Sequence, residues 1–133
     1  MLEVLASLVI LGHGLGHTTG LAAAWSSIPT GFSERPWVFG GDVRLSSPVG
    51  KAFGIIFLLA TVLFVISAGA AFAGSEMWRT FAVAGSVASI ACMVPWWNTV
   101  LFGARLGVLL DIAILLVLLV PGGEGFVDFF GLP

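Results

Sequence analysis

The chain has 133 residues, of which 59% are hydrophobic and 9% charged, with a formal net charge of −2; soluble domains carry about a quarter charged residues, so that class is excluded. A mean hydropathy of +1.12 and this length suit about four membrane spans of roughly 20 residues each, leaving no room for a separate soluble domain. Five scattered Lys and Arg cannot form the basic surface that nucleic acid requires, and a single Cys92 cannot build an internal disulfide or a cysteine-based zinc site.

The first apolar run predicts a span over residues 2–24, closed by the interfacial aromatic Trp25. Leu21-Ala22-Ala23-Ala24 has the small residues of a signal-peptide cleavage region, but Glu3 stands where a basic n-region belongs and two histidines interrupt the apolar core. An uncleaved span is the expectation. Residues 26–50 form a long loop broken by Pro29, Pro36 and Pro48 and solvated by Glu34, Arg35, Asp42 and Arg44. Trp37 and Phe39 give it apolar anchors, so it is read either as a cap over one end of the bundle or as a plain interfacial connection.

The second span is expected over 52–72, with only Thr61 and Ser67 polar, and serves as scaffold. The third runs over 79–97 and ends at Pro95-Trp96-Trp97, where a proline and paired indoles suit a helix terminating at the headgroups. The fourth covers 103–120, stopped by Pro121-Gly122-Gly123. The tail 122–133 alternates Phe126, Phe129 and Phe130 with acids and reads as interfacial. The predicted fold is therefore an all-α, integral membrane four-helix bundle in one domain, its long first loop at one end. Arg35, Arg44, Lys51 and Arg105 lie on one side and Arg79 on the other, which predicts that both termini are non-cytoplasmic.

Helices in lipid associate through small residues and interhelical hydrogen bonds. Gly12, Gly16 and Gly20 on the first span and Gly103 and Gly107 on the fourth recur every four residues, which predicts packing seams, with close approach to a ligand as the other reading. His13 and His17 border the first seam, and Asp111 extends the second by one more turn. The first and fourth spans run antiparallel by the span count, so His13 and Asp111 fall at similar depth, with Ser86 and Ser89 of the third span nearby. An unpartnered carboxylate at that depth costs about 2.5–3.5 kcal/mol, so Asp111 needs a proton or a donor, and His13 is the best-placed one. Arg105 lies on the opposite side of the same helix.

Such a cluster either locks helices together or marks a functional site. As a site, His13, His17 and Asp111 are the candidate catalytic groups: a histidine oriented by a carboxylate exchanges protons near neutral pH. Ser86, Ser89, Glu34, Trp37 and Asp42 are the candidate ligand-binding residues. This chemistry suits isomerisation, cyclisation or epoxide opening on a membrane lipid or other lipophilic small molecule, in an apolar cavity reaching the cluster. Two further classes remain: an oligomeric proton-linked transporter, and an accessory subunit of a larger membrane complex. No cofactor and no metal is called for. Histidines four apart on one helix cannot occupy both axial positions of one haem, although both rings with Asp111 on one face form a conceivable metal set.

The stretch Gly12-His13-Gly14-Leu15-Gly16-His17-Thr18-Thr19-Gly20, with Gly50-Lys51-Ala52-Phe53-Gly54, Trp78-Arg79 and Gly107-Val108-Leu109-Leu110-Asp111, resembles a group of small bacterial four-helix membrane proteins, some labelled permease-like. The resemblance implies four spans and a bacterial plasma-membrane location, and makes His17 the more motif-like histidine. It implies no catalytic assignment.

Overall fold

The structure is a computed structural model that describes residues 1–39, 42–97 and 102–133, with the side chains of the last stretch described from 105 onward. Gly103, one of the expected packing positions, lies outside the residues so described. Regular structure among the described residues is entirely helical: α1 (Leu2–Gly16), α2 (Thr18–Trp25), α3 (Pro48–Phe72), α4 (Met77–Met93), a 3-10 turn (Val94–Trp96), α5 (Phe102–Leu119) and α6 (Glu124–Phe130). α1 and α2 continue one another across His17. The rods Leu2–Trp25, Pro48–Phe72 and Met77–Trp96 are each long and apolar enough to cross a membrane. Residues 105–119 of α5 reach that length only together with α6, across a 109° turn.

Each rod starts and stops for a local reason. α3 begins earlier than the expected residue 52, because Ser47 caps it by accepting the Gly50 amide and Pro48 occupies the first turn, where a missing amide costs nothing. It ends where Gly74 takes φ +68°. There the Ser75 and Gly74 amides return to the Ala70 and Ala71 carbonyls, satisfying the last turn and reversing the chain directly into α4. Pro95 tightens the end of α4 into the 3-10 turn. The expected interfacial tail contains α6, tied beneath α4 by Trp78 and Arg79, which both donate to the Pro133 carbonyl.

α3 is the central rod, packing on α1 and α2 along one side and on α4 along another, while α5 packs chiefly on α4. Buried positions on the first rod are Ser7, Ile10, Gly14, His17, Gly20 and Ala24. Their three- and four-residue spacing matches the seam of a left-handed helix pair. A Cβ added at Gly14 would lie 2.5 Å from the Phe64 Cβ, and one at Gly20 would run into the Phe57 ring. Two phenylalanines of α3 thus fill two glycine notches. Gly12 and Gly16, by contrast, meet nothing among the described residues within 4 Å of an added Cβ and are exposed. A four-residue repeat drifts by about 40° per step around a helix, so the expected Gly12/Gly16/Gly20 seam is corrected to Gly14 and Gly20.

Two apolar clusters fill the interior. One gathers Ile10, Phe64, Ala68, Trp78, Ala82 and Val127, the other Leu45, Phe57, Cys92, Met93, Trp96 and Val108. Along α1, α4 and α5 the polar residues His13, His17, Ser89 and Asp111 come between them in sequence.

Candidate functional site

The site begins at the interruption of the first rod. Thr18 and Thr19 hydroxyls donate to the Leu15 and Gly16 carbonyls at 2.7 and 2.8 Å, back-bonding that loosens a helix. The His17 amide bonds one residue short, to the Gly14 carbonyl at 3.1 Å, a 3-10 contact. The carbonyl of His13 accepts from His17 Nδ1 at 3.0 Å. The break therefore fixes the ring of His17 against the helix that carries it and aims Nε2 at α4.

There Nε2 lies 2.7 Å from the Ser89 hydroxyl, which in turn bonds Asp111 Oδ2. The other oxygen of Asp111, Oδ1, is 2.7 Å from His13 Nε2. Three rods thus meet through the expected His13–Asp111 contact, closed into a ring of hydrogen bonds by Ser89 and His17. The histidine rings stand edge to face with centroids 4.8 Å apart, and the Phe64 ring lies 4.7 Å from that of His13. Gly107 makes room: a Cβ there would fall 3.1 Å from His13 Cε1. Asp111 is sealed, its side chain 0% exposed, whereas the His13 side chain keeps 8%.

That exposure faces a cavity of about 390 Å3 between the first rod and α5, lined by Gly12, His13, Gly16, His17, Thr19, Phe32, Phe57, Ser89, Met93 and Gly107. The exposed glycines of α1 form its mouth. His13 Nδ1 has no hydrogen-bond partner among the described residues and is not among the sealed polar atoms, so it is left accessible on a residue that lines the cavity. A second cavity of about 360 Å3, lined only by apolar residues including Val9, Leu110, Ile114 and Phe130, follows along α1 and α5 beyond the His13–Asp111 bond.

The remaining expected residues stand elsewhere. Ser86 is buried and has no hydrogen-bond partner among the described residues, so it is not part of the ring. Glu34 is exposed and accepts from Ser46, Trp37 donates from its indole to the Val94 carbonyl, and Asp42 is exposed. None of the three lines the cavity, to which the loop contributes Phe32. Phe32, Phe57, Thr19 and Met93 were legible only as apolar or helix-bound residues; no chemical signal marks them.

The donor atoms of His13, His17 and Asp111 lie within 4.8 Å of one another, a two-histidine, one-carboxylate set. Zinc-type bonds of about 2.0–2.2 Å on either side require donors further apart than the 2.7 Å between His13 and Asp111. An ion would therefore have to open that bond. No protein-family model, no curated protein and no solved structure matches the chain. The arrangement defines a helical protein with a buried, hydrogen-bonded His/Ser/Asp ring on the wall of a cavity, and its function is argued from that chemistry alone.

Proposed function

We infer that the chain is an integral membrane protein of four spans whose cleft between α1 and α5 binds a small lipophilic molecule and performs proton-transfer chemistry on it. Support for the membrane comes from the surface. Leu8, Leu15, Ile55, Leu59, Val62, Val87, Leu109 and Leu116 are all exposed along four rods, far more apolar surface than a soluble monomer presents.

Support for the chemistry comes chiefly from one observation, the free Nδ1 of His13 on the wall of the 390 Å3 cavity. With Nε2–H donated to Asp111, the ring is held in the tautomer whose remaining nitrogen accepts a proton. The cavity volume falls in the range of small-molecule sites, and the apolar cavity beyond offers room for a hydrocarbon tail.

The test fills the mouth. Gly16→Trp places an indole where an added Cβ meets nothing. Native mass spectrometry of the purified protein should show a lipophile bound to the wild type and lost from this variant, with the thermal midpoint unchanged. A wild type carrying no specific lipophile, or a variant that retains it, would overturn the reading.

A further inference from the structure

The hydrogen-bonded ring has a fixed number of acceptors, and counting them fixes its protons. His17 Nδ1 faces a backbone carbonyl oxygen, the carbonyl of His13. A carbonyl only accepts, so Nδ1 carries hydrogen. The Ser89 hydroxyl owns one proton but makes two contacts, with His17 Nε2 and with Asp111 Oδ2.

Two arrangements satisfy both. In the first, Ser89 donates to an ionised Asp111 and His17 Nε2 donates to Ser89, which makes His17 an imidazolium. In the second, a protonated Asp111 donates to Ser89 and Ser89 donates to a neutral His17. A neutral His17 beside an ionised Asp111 fails, because one of the two contacts then sets lone pair against lone pair. His13 Nε2–H donates to Oδ1 in both working arrangements.

We propose that His17, Ser89 and Asp111 form a proton-binding site that holds one proton beyond the neutral-histidine, ionised-carboxylate state and passes it between His17 and Asp111 through the serine hydroxyl. The shift between the two arrangements moves one proton from His17 Nε2 to the Ser89 oxygen and another from Ser89 to Asp111 Oδ2. No bond to carbon changes and no co-reactant is needed. Both arrangements leave these three residues without net charge, which the surroundings require: Asp111 is fully buried, and an unpaired buried charge costs several kcal/mol.

Among the described residues the neighbours supply no other countercharge. α3 presents Phe57, Phe64 and Thr61, whose hydroxyl donates to the Phe57 carbonyl. α4 adds Cys92, whose thiol bonds the Ser89 carbonyl. On α5, Arg105 lies with its guanidinium 5.5 Å from the Trp97 ring centroid. His13 remains the other titratable group in contact.

The consequence for the site rests on the function proposed above. His17 and Ser89, which share that proton with the sealed Asp111, line the same cavity as the base at His13 Nδ1, which fits an uncharged lipophile carrying a proton acceptor beside a removable proton, such as an enolisable carbonyl. The proton count itself is independent of any ligand.

It is tested on the delipidated wild type in nanodiscs at neutral pH by 15N-histidine and 13C-aspartate NMR. The chain has two histidines, and His13→Gln assigns them. The expected spectra show an imidazolium signature for His17, a carboxylic acid signature for Asp111, or an exchange of the two, together accounting for one proton per chain. His17 as a neutral Nδ1–H ring with Asp111 ionised in the same sample would overturn the inference. Loss of the lipophile from the wild type would instead sink the binding reading and leave the proton count standing.

Discussion

At the scale of single residues, the glycines separate into two kinds that the sequence does not distinguish. Gly14 sits in a notch filled by Phe64, so Gly14→Ala forces overpacking and is expected to destabilise the protein by about 1–3 kcal/mol. Gly16→Ala meets nothing and is expected to be neutral or to stabilise by about 0.4–1 kcal/mol. Thermal unfolding in detergent compares the two, and the reverse order would contradict the packing seam. Asp111→Ala removes both oxygens and leaves His13 Nε2 and the Ser89 hydroxyl without their partner. Leaving such a buried group unpaired costs about 1–3 kcal/mol. The same unfolding assay should register that loss, and an unchanged midpoint would show that the ring does not hold the rods together.

Elements carry the lesson about what was legible. Hydrophobic runs placed the rods Leu2–Trp25, Pro48–Phe72 and Met77–Trp96 and the helix Phe102–Leu119 to within a few residues, and antiparallel counting brought His13 opposite Asp111, because position along a rod follows from sequence position alone. Rotation does not follow as easily. A regular Gly12, Gly16, Gly20 series looked like a seam, whereas the buried face follows the three- and four-residue spacing from Ser7 to Ala24, set by what α3 presents. The break at His17 falls beside Thr18-Thr19, whose hydroxyls bond back to the Leu15 and Gly16 carbonyls, a local signal that the surrounding apolar run masks. Ser47-Pro48 was a readable start signal for α3 that the Pro-rich loop obscured. Its Oγ donates to the Arg44 carbonyl at 2.6 Å as well as capping Gly50. Ser47→Ala should therefore cost about 1 kcal/mol, measured by chemical unfolding in mild detergent, and a cost near zero would count against the cap.

At the scale of the whole molecule, charge and the two cavities tell one story. Eleven of the twelve charged residues lie outside the predicted span interiors, and Asp111, the exception, is fully buried and bonded to His13 and Ser89. Four spans with the 26–47 loop on the cytoplasmic side predict that Ser46→Cys is labelled by an impermeant thiol reagent only from the cytoplasm and Ser75→Cys only from the opposite side, in a Cys92→Ala background. Labelling of both from one side would contradict that arrangement.

Under the proposed function, His13 exchanges protons with a molecule held in the cavity. That exchange is tested most directly by incubating the purified protein and its bound lipophile in heavy water and weighing the extracted lipophile. Deuterium should enter carbon positions with wild-type protein and fail to enter with His13→Gln, which still binds the molecule. Incorporation at an undiminished rate in that variant, or none with the wild type while the lipophile stays bound, would contradict it.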